Sequence, residues 1–163
     1  MQSMKTFLIT TGLIIFGALI FTACSEDHDR YDSEGTLYFD KVELSSKNEV
    51  PETSEKYVTG TANIVLAKNN VTFNLKIYNV PADDSLTTAH IHIGEPDETG
   101  GVLVTLVDGD GISFDEDNEA VGTVSVKDII VNQLKDEDVS LYVNVHSDGH
   151  PAGLVRATLR HEE

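Results

Sequence analysis

The stretch "GTANIVLAKNNVTFNLKIYNV", residues 60–80, carries the clearest structural pattern in the chain. In its second half apolar and polar side chains alternate: Val71, Phe73, Leu75 and Ile77 against Thr72, Asn74, Lys76 and Tyr78. A period of two is typical of a β-strand that buries one face. The polar run at 68–70 interrupts the pattern, and asparagine tolerates left-handed backbone angles. The stretch therefore predicts a β-hairpin with a tight turn.

Similar short runs continue outward from this hairpin. They predict further strands at residues 36–44, 86–94, 101–109, 119–126, 140–146 and 153–160. Eight short strands with polar turns between them indicate a single all-β domain over residues 36–160. We expect an antiparallel β-sandwich with Greek-key connections. Its predicted core contains ten residues: Phe73, Leu75, Ile77, Ile91, Ile93, Val102, Val104, Leu141, Val143 and Val145.

One segment, residues 127–138, departs from the strand pattern. Asp128 is expected to cap one short helix that carries Ile129, Ile130 and Leu134 on one side.

The first 23 residues have the layout of a signal peptide, with Lys5 followed by an apolar run over residues 7–21. An uncleaved membrane helix is the alternative, but the run is at the short edge of spanning length. The sequence "FTAC" ending at Cys24 resembles the lipobox of bacterial lipoproteins, with Phe21 where leucine is usual. That resemblance implies cleavage after Ala23 and lipidation of Cys24, which would anchor the chain to a membrane.

Residues 24–35 are acidic and short of apolar side chains, which predicts a flexible tether. An acidic run behind a lipidated cysteine resembles the signal that sends some Gram-negative lipoproteins to the cell surface. A plain solvated linker explains the same composition equally well. We therefore expect a cell-envelope protein anchored to the outer membrane, with display on the cell surface as one outcome.

The charge balance excludes several classes of partner. The formal net charge is -17, and 10 basic residues face 28 acidic residues after Cys24. Such a surface repels phosphate backbones, so we expect no nucleic-acid binding. Cys24 is the only cysteine, which excludes an intradomain disulfide and a cysteine-based zinc site. No nucleophile elbow, phosphate-binding glycine loop or H-E-x-x-H helix is present, so the sequence does not predict an enzyme.

Four of the six histidines lie in two short stretches, "TAHIHIG" (88–94) and "YVNVHSDGHPAG" (142–153). Because side chains alternate along a strand, His90 and His92 project from one face. His146 is in phase with Asn144 on its own strand. If the two strands are neighbours, three imidazoles converge.

Two interpretations of this cluster stay open. Neutral imidazoles can join loop carbonyls and one another in a polar seam that requires no cofactor, and this is the interpretation that we favour. Three histidines on two strands are also a typical zinc or copper site. Further ligands would then come from loops: Asp148, His150, Glu95 or Asp97.

The acidic segment 108–119 superficially suggests a calcium loop. Against the EF-hand pattern, however, Ile112 occupies an oxygen-ligand position and Ser113 the required glycine. A solvated acidic loop is favoured over a looser calcium site.

Taken together, several motifs resemble the CHRD domain. They are "NEVP" (48–51), "GTA" (60–62), "AHIHIG" (89–94), "GGVLVTL" (100–106) and "LYVNVHSDGHPAGLVR" (141–156). The resemblance spans residues 36–160 and implies an extracellular, mostly β module with no known reaction. It implies structural roles for Asn144, Gly153 and Arg156. The family commonly ends G-E-I-R-G, whereas this chain has Leu154 in place of the glutamate and Ala157 in place of the last glycine.

The resulting functional prediction is an envelope-anchored binding or structural module whose partner is an extracytoplasmic protein or glycan. The alternative is a zinc- or copper-binding domain with redox activity, because the H-x-H strand is similar to that of copper–zinc superoxide dismutase.

Overall fold

The computed structural model describes residues 35–160. Within them lie one 3-10 helix, one α-helix and eight strands: β1 (Leu37–Ser45), the 3-10 helix (Ser46–Asn48), β2 (Thr59–Ala67), β3 (Asn70–Tyr78), β4 (Leu86–Ile93), β5 (Val102–Val107), β6 (Glu119–Ser125), α1 (Asp128–Lys135), β7 (Leu141–Ser147) and β8 (Val155–Leu159). The predicted signal peptide, Cys24 and tether residues 24–34 lie outside the described residues. Over residues 35–160, no helix has the length and apolar content needed to cross a bilayer.

All eight strands belong to one antiparallel sheet with the order β5-β4-β7-β8-β1-β2-β3-β6. Its two edge strands, β5 and β6, come into contact with each other, so the sheet is nearly closed. The prediction of an all-β antiparallel fold with one short α-helix is confirmed. The sandwich packing and the Greek-key connections stay predictions.

The core lies on one face of this sheet and contains most of the predicted residues. On β3 the alternation holds, since Val71, Phe73, Leu75 and Ile77 are at most 2 % exposed. Val102, predicted to be buried, is 55 % exposed because it is the first residue of the edge strand β5. Ile93, at the end of β4, is only partly buried against the core.

Two local predictions need correction. The turn between β2 and β3 places its positive φ of 55° on Lys68 and not on an asparagine. Lys127 is the N-cap of α1, so the prediction that Asp128 caps this helix is wrong. Instead the Asp128 carboxylate accepts a hydrogen bond of 2.6 Å from Asn69 Nδ2, which fastens the helix to the β2–β3 turn.

The predicted apolar side of α1 is also only partly correct. Leu134 is buried, whereas Ile129 is 62 % exposed. Five helical residues span about 500°, so these two side chains point about 140° apart. Ile130, one full turn from Leu134, packs against the core.

Strand β7 lies between two strands of the sheet and pairs with β4 on one side and with β8 on the other. The register places His90 and Arg156 on either side of Asn144, and His92 and Thr158 on either side of Tyr142. Directly opposite side chains on one face of a sheet lie about 5 Å apart at Cβ. This pairing therefore gathers two of the histidines, the asparagine and the arginine on one face.

Candidate functional site

Strand β7 is buried on both of its faces. Leu141, Val143 and Val145 point into the core, and Tyr142, Asn144 and His146 point the opposite way. All seven residues of the strand are buried. Three segments contact the outward side chains: residues 46–49, the covering loop (residues 94–101) and the β7–β8 loop (residues 148–153). The result is a polar layer between the sheet and these segments.

His90, His92 and His146 meet within this layer. The ring centroid of His90 lies 5.6 Å from that of His92 and 5.0 Å from that of His146. The centroids of His92 and His146 are 6.1 Å apart. One nitrogen of each ring lies within 4.8 Å of the corresponding nitrogens of the other two. The structure thus brings together the three histidines that the sequence grouped.

Backbone carbonyls fix two of the three rings. Nδ1 of His92 donates to the carbonyl oxygen of Gly100, and Nδ1 of His146 donates to that of Pro151, both at 3.1 Å. Because a carbonyl can only accept, each of these Nδ1 atoms carries the ring proton. The Nε2 atom of each ring then keeps a free lone pair. Nε2 of His92, Nε2 of His146 and Nδ1 of His90 are buried without a hydrogen-bond partner among the described residues.

The electrostatics of the layer keep these imidazoles neutral. Burial lowers the pKa of His90 to about 4, with further contributions from His146 and His92. Burial also lowers the pKa of His92 and of His146, against the opposing effect of their hydrogen bonds to Gly100 and Pro151. A neutral imidazole is the form that binds metal ions.

The rings of His92 and Tyr142 and the guanidinium of Arg156 stack on one another in that order. The Tyr142 ring stacks on His92 with a centroid distance of 4.7 Å and an interplanar angle of 6°. The guanidinium of Arg156 lies 3.7 Å from the centre of the Tyr142 ring. Arg156 is only 2 % exposed, and its Nη1 and Nη2 donate to the carbonyl oxygens of Glu98 and Glu95, each at 2.8 Å. This arginine therefore connects β8 to the covering loop.

A buried carboxyl group completes the layer. Glu49 is 4 % exposed, and its Oε2 accepts a hydrogen bond of 3.5 Å from Asn144 Nδ2. Burial raises the pKa of Glu49 to about 7, against the opposing effects of the Arg156 charge and the Asn144 hydrogen bond. The sequence pattern does not single out this residue, although the "NEVP" motif contains it.

Gly153, in the motif at residues 141–156, occupies a position that requires glycine. Its φ is +144°, and a Cβ there would overlap Glu49 Oε2 and lie 2.6 Å from Asn144 Nδ2. Only glycine therefore lets Glu49 approach Asn144 at this point. Leu154, which replaces the family's glutamate, is fully buried in the core.

The suggested additional ligands lie elsewhere. His150 Nδ1 is 3.3 Å from Asp84 Oδ2, and Asp148 is exposed. The Glu95 carboxylate accepts a hydrogen bond of 2.8 Å from Ser140 Oγ, and Asp97 is exposed. The structure brings none of these four residues into the histidine group.

Asp84, Ser147 and His150 form a separate cluster that the sequence did not reveal. Ser147 Oγ donates to Asp84 Oδ2 at 2.6 Å and lies 3.4 Å from His150 Nδ1. In a catalytic triad the serine and the carboxylate contact opposite nitrogens of the histidine. Here Ser147 and Asp84 both contact Nδ1, so Ser147 does not have the position of a triad nucleophile, and the Nε2 atom of His150 lies 3.4 Å from Ser54 Oγ.

In the acidic segment 108–119, two carboxylates accept hydrogen bonds from backbone N–H groups of the same segment. Asp108 Oδ1 accepts from the N–H groups of Asp110, Gly111 and Ile112. Asp115 Oδ1 accepts in the same way from Asp117 and Glu119. Over residues 35–160, the histidine cluster is the one group of three His, Cys, Asp or Glu side chains close enough together that they could hold a metal ion.

The fold and site define a small β module with a buried polar layer on one side of its sheet. The chain belongs to the CHRD domain family, whose model matches residues 41–159. The resemblance drawn from the motifs is therefore confirmed. Membership indicates an extracellular module, and the family is not a known enzyme family. Searches of curated proteins and of solved structures gave no significant match.

Proposed function

We propose that this chain is a lipid-anchored protein of the cell envelope whose CHRD domain binds a transition-metal ion, zinc or copper, through His90, His92 and His146. The observation that carries the proposal is the convergence of three imidazoles, each with one nitrogen within 4.8 Å of the others and one buried nitrogen that has no hydrogen-bond partner among the described residues.

The donor set suits such an ion. Zinc and copper both accept neutral imidazole nitrogens as ligands. In a tetrahedral zinc site with bonds of about 2.05 Å, the ligand nitrogens lie about 3.3 Å apart. One nitrogen of each of the three rings lies within 4.8 Å of the other two, so small ring movements close the site. Three protein ligands leave a fourth position for water or for a group of an extracytoplasmic partner.

A metal-free polar seam accounts less well for the same geometry. Such a seam should pair its polar atoms, yet within residues 35–160 no hydrogen bond joins one imidazole of the cluster to another. A buried polar atom without a partner costs about 1–3 kcal/mol. Three such atoms in one cluster are a large penalty for a domain of this size, and a shared metal ion removes it.

The charge of the protein favours binding over superoxide chemistry. A net charge of -17 attracts metal cations and repels an anionic substrate such as superoxide. The proposed role is therefore metal binding without catalysis. Copper-loaded protein that consumes superoxide, and loses this activity on His92→Ala, would contradict the non-enzymatic role.

The decisive experiment is elemental analysis of protein purified without a histidine tag and then equilibrated with zinc or copper. We expect near-stoichiometric metal in the parent and its loss in His90→Ala, His92→Ala and His146→Ala. His150→Ala is the matched control, because His150 contacts Asp84 outside the cluster, and it should keep the metal. A parent without metal, or equal loss in the control, would overturn the proposal.

The anchor is tested separately through Cys24. Replacement of Cys24 by alanine should abolish acyl labelling and leave an unprocessed precursor in the cell. Normal processing of this variant would show that the chain reaches the envelope by another route, while leaving the metal site untouched.

A further inference from the structure

The covering loop is closed by its own backbone, and the Arg156 side chain holds its middle. Ile93 N–H donates to the Gly101 carbonyl at 3.1 Å, and Gly94 N–H donates to that of Ser140 at 3.0 Å. Between these two backbone hydrogen bonds, the Arg156 guanidinium donates to the carbonyl oxygens of Glu98 and Glu95, in the middle of the loop. The loop in turn supplies the Gly100 carbonyl that accepts from His92 Nδ1.

A second connection runs through Tyr142. Its ring lies between the Arg156 guanidinium and the His92 imidazole, and its Oη accepts a hydrogen bond of 2.9 Å from Gly100 N–H. The amide hydrogen and the carbonyl oxygen of Gly100 are thus both used in orienting His92. His146 has no part in this arrangement, since its Nδ1 proton is held by Pro151.

We propose that Arg156 is a positioning residue of the metal site: by holding the covering loop and Tyr142 against His92, it keeps the His92 proton on Nδ1 and turns Nε2 towards the metal. This inference rests on the proposed metal site and names the residue that sets the orientation of one of its ligands. Groups that orient a metal ligand commonly contribute 10- to 100-fold to metal affinity.

The chemistry of this position suits arginine in particular. Its planar guanidinium can donate to two carbonyls in fixed directions while its flat face lies on an aromatic ring. A lysine ammonium has neither the fork nor the flat face. Arg156 also has no carboxylate in salt-bridge contact among residues 35–160, so its main partners are the two carbonyls and the ring.

The test is the tautomeric state of each histidine in metal-free protein, read from nitrogen-15 NMR of the imidazole rings. In the parent we expect the proton on Nδ1 in both His92 and His146. In Arg156→Met, His92 should become a mixture of tautomers while His146 is unchanged, and zinc affinity should fall about 10- to 100-fold. His146 is an internal control, because general loosening of the fold would affect both rings.

Two further variants keep the inference falsifiable. Arg156→Lys retains a buried cation and should give a smaller change in the same direction, which serves if Arg156→Met does not fold. Lys76→Met removes a positive charge from β3, far along the sheet, and should leave His92 and zinc affinity unchanged. If the Arg156 variants leave His92 and zinc affinity as in the parent, or change His92 and His146 alike, the inference is wrong. A parent that binds no metal would instead overturn the proposed function itself.

Discussion

Strands β3 and β7 have the same kind of sequence and very different surroundings. Both alternate apolar and polar side chains, in "NVTFNLKIY" and "LYVNVHS". On β3 the apolar set is buried, while the polar set ranges from partly buried to exposed. On β7 both sets are buried, because two distant segments and the loop that directly follows the strand lie over the polar face. Alternation therefore reveals which residues share a face but not what covers that face.

The difference has an energetic consequence. Polar groups on an exposed strand face exchange water for other partners at little net gain, typically about 1 kcal/mol or less. Polar groups on a covered face must find partners or raise the free energy of the folded state. The polar layer over β7 contains satisfied groups, such as Arg156 on β8, and unsatisfied ones, which include Glu49 Oε1 and Asn144 Oδ1 as well as the three imidazole nitrogens. The proposed metal site would use the three imidazole nitrogens of this unsatisfied set.

The largest effect is expected where the covering loop closes over β7. A Cβ on Gly100 would overlap the carbonyl oxygen of Ile93, whereas a Cβ on the adjacent Gly101 would meet no atom within 4 Å. Gly100→Ala should therefore lower the free energy of unfolding by at least about 3 kcal/mol, since backbone must move to relieve the overlap. Gly101→Ala should change it by less than about 0.5 kcal/mol. Urea denaturation at pH 7 measures both free energies, and equal effects would contradict the close approach of Gly100 to Ile93.

The fold was largely predictable because it depends on local pattern. The alternation on β3 identified its buried residues. The two-residue spacing of His90 and His92 on a strand placed them on one face. The errors have physical causes, such as the edge position of Val102 and the helical angle between Ile129 and Leu134. The covering segments were not predictable, because Gly100, Pro151 and Glu49 reach the histidine layer from separate loops. Only the glycines and the "NEVP" motif signalled these contacts, and nothing in the sequence pattern indicated their geometry.

Acid should destabilise the polar layer over β7 through His90, which lies on β4. Its pKa is about 4 in the folded protein and 6.5 in the unfolded chain, so the unfolded state binds more protons between these values. Stability from this residue is present above pH 6.5 and is lost as pH falls towards 4, by up to about 3 kcal/mol. His90→Gln should remove this loss. The check is the free energy of unfolding of parent and variant at pH 7 and pH 4 in the presence of a chelator; parallel pH dependence in the two proteins would contradict it.

The contribution of Glu49 to the free energy of unfolding should change with pH in the opposite direction to that of His90. Its pKa is about 7 in the folded protein against 4.5 in the unfolded chain, so the folded state binds more protons between these values. Stability from this residue is present below pH 4.5 and is lost as pH rises through 7. Glu49→Gln should therefore stabilise the protein by about 2 kcal/mol at pH 8.5 and have little effect at pH 4.5. Chemical denaturation at these two pH values tests the sign, and a variant less stable than the parent at pH 8.5 would show that the charged carboxylate is well solvated.

The smallest effect is expected on the outward face of β3. Lys76 Nζ lies 3.6 Å from Glu119 Oε2, and both side chains are substantially exposed, at 27 % and 36 %. Exposed ion pairs contribute about 0–1 kcal/mol and are screened by salt. Glu119 also keeps the hydrogen bond of 2.7 Å that Asn74 Nδ2 donates to its Oε1. Lys76→Met should therefore change the free energy of unfolding by less than about 0.5 kcal/mol at physiological salt, and the difference should shrink further in 1 M salt, where the screening length falls to about 3 Å. Urea denaturation at the two salt concentrations measures this directly. A loss comparable to that of Gly100→Ala would mean that the face of β3 is covered as β7 is, and the distinction between the two strands would then fail.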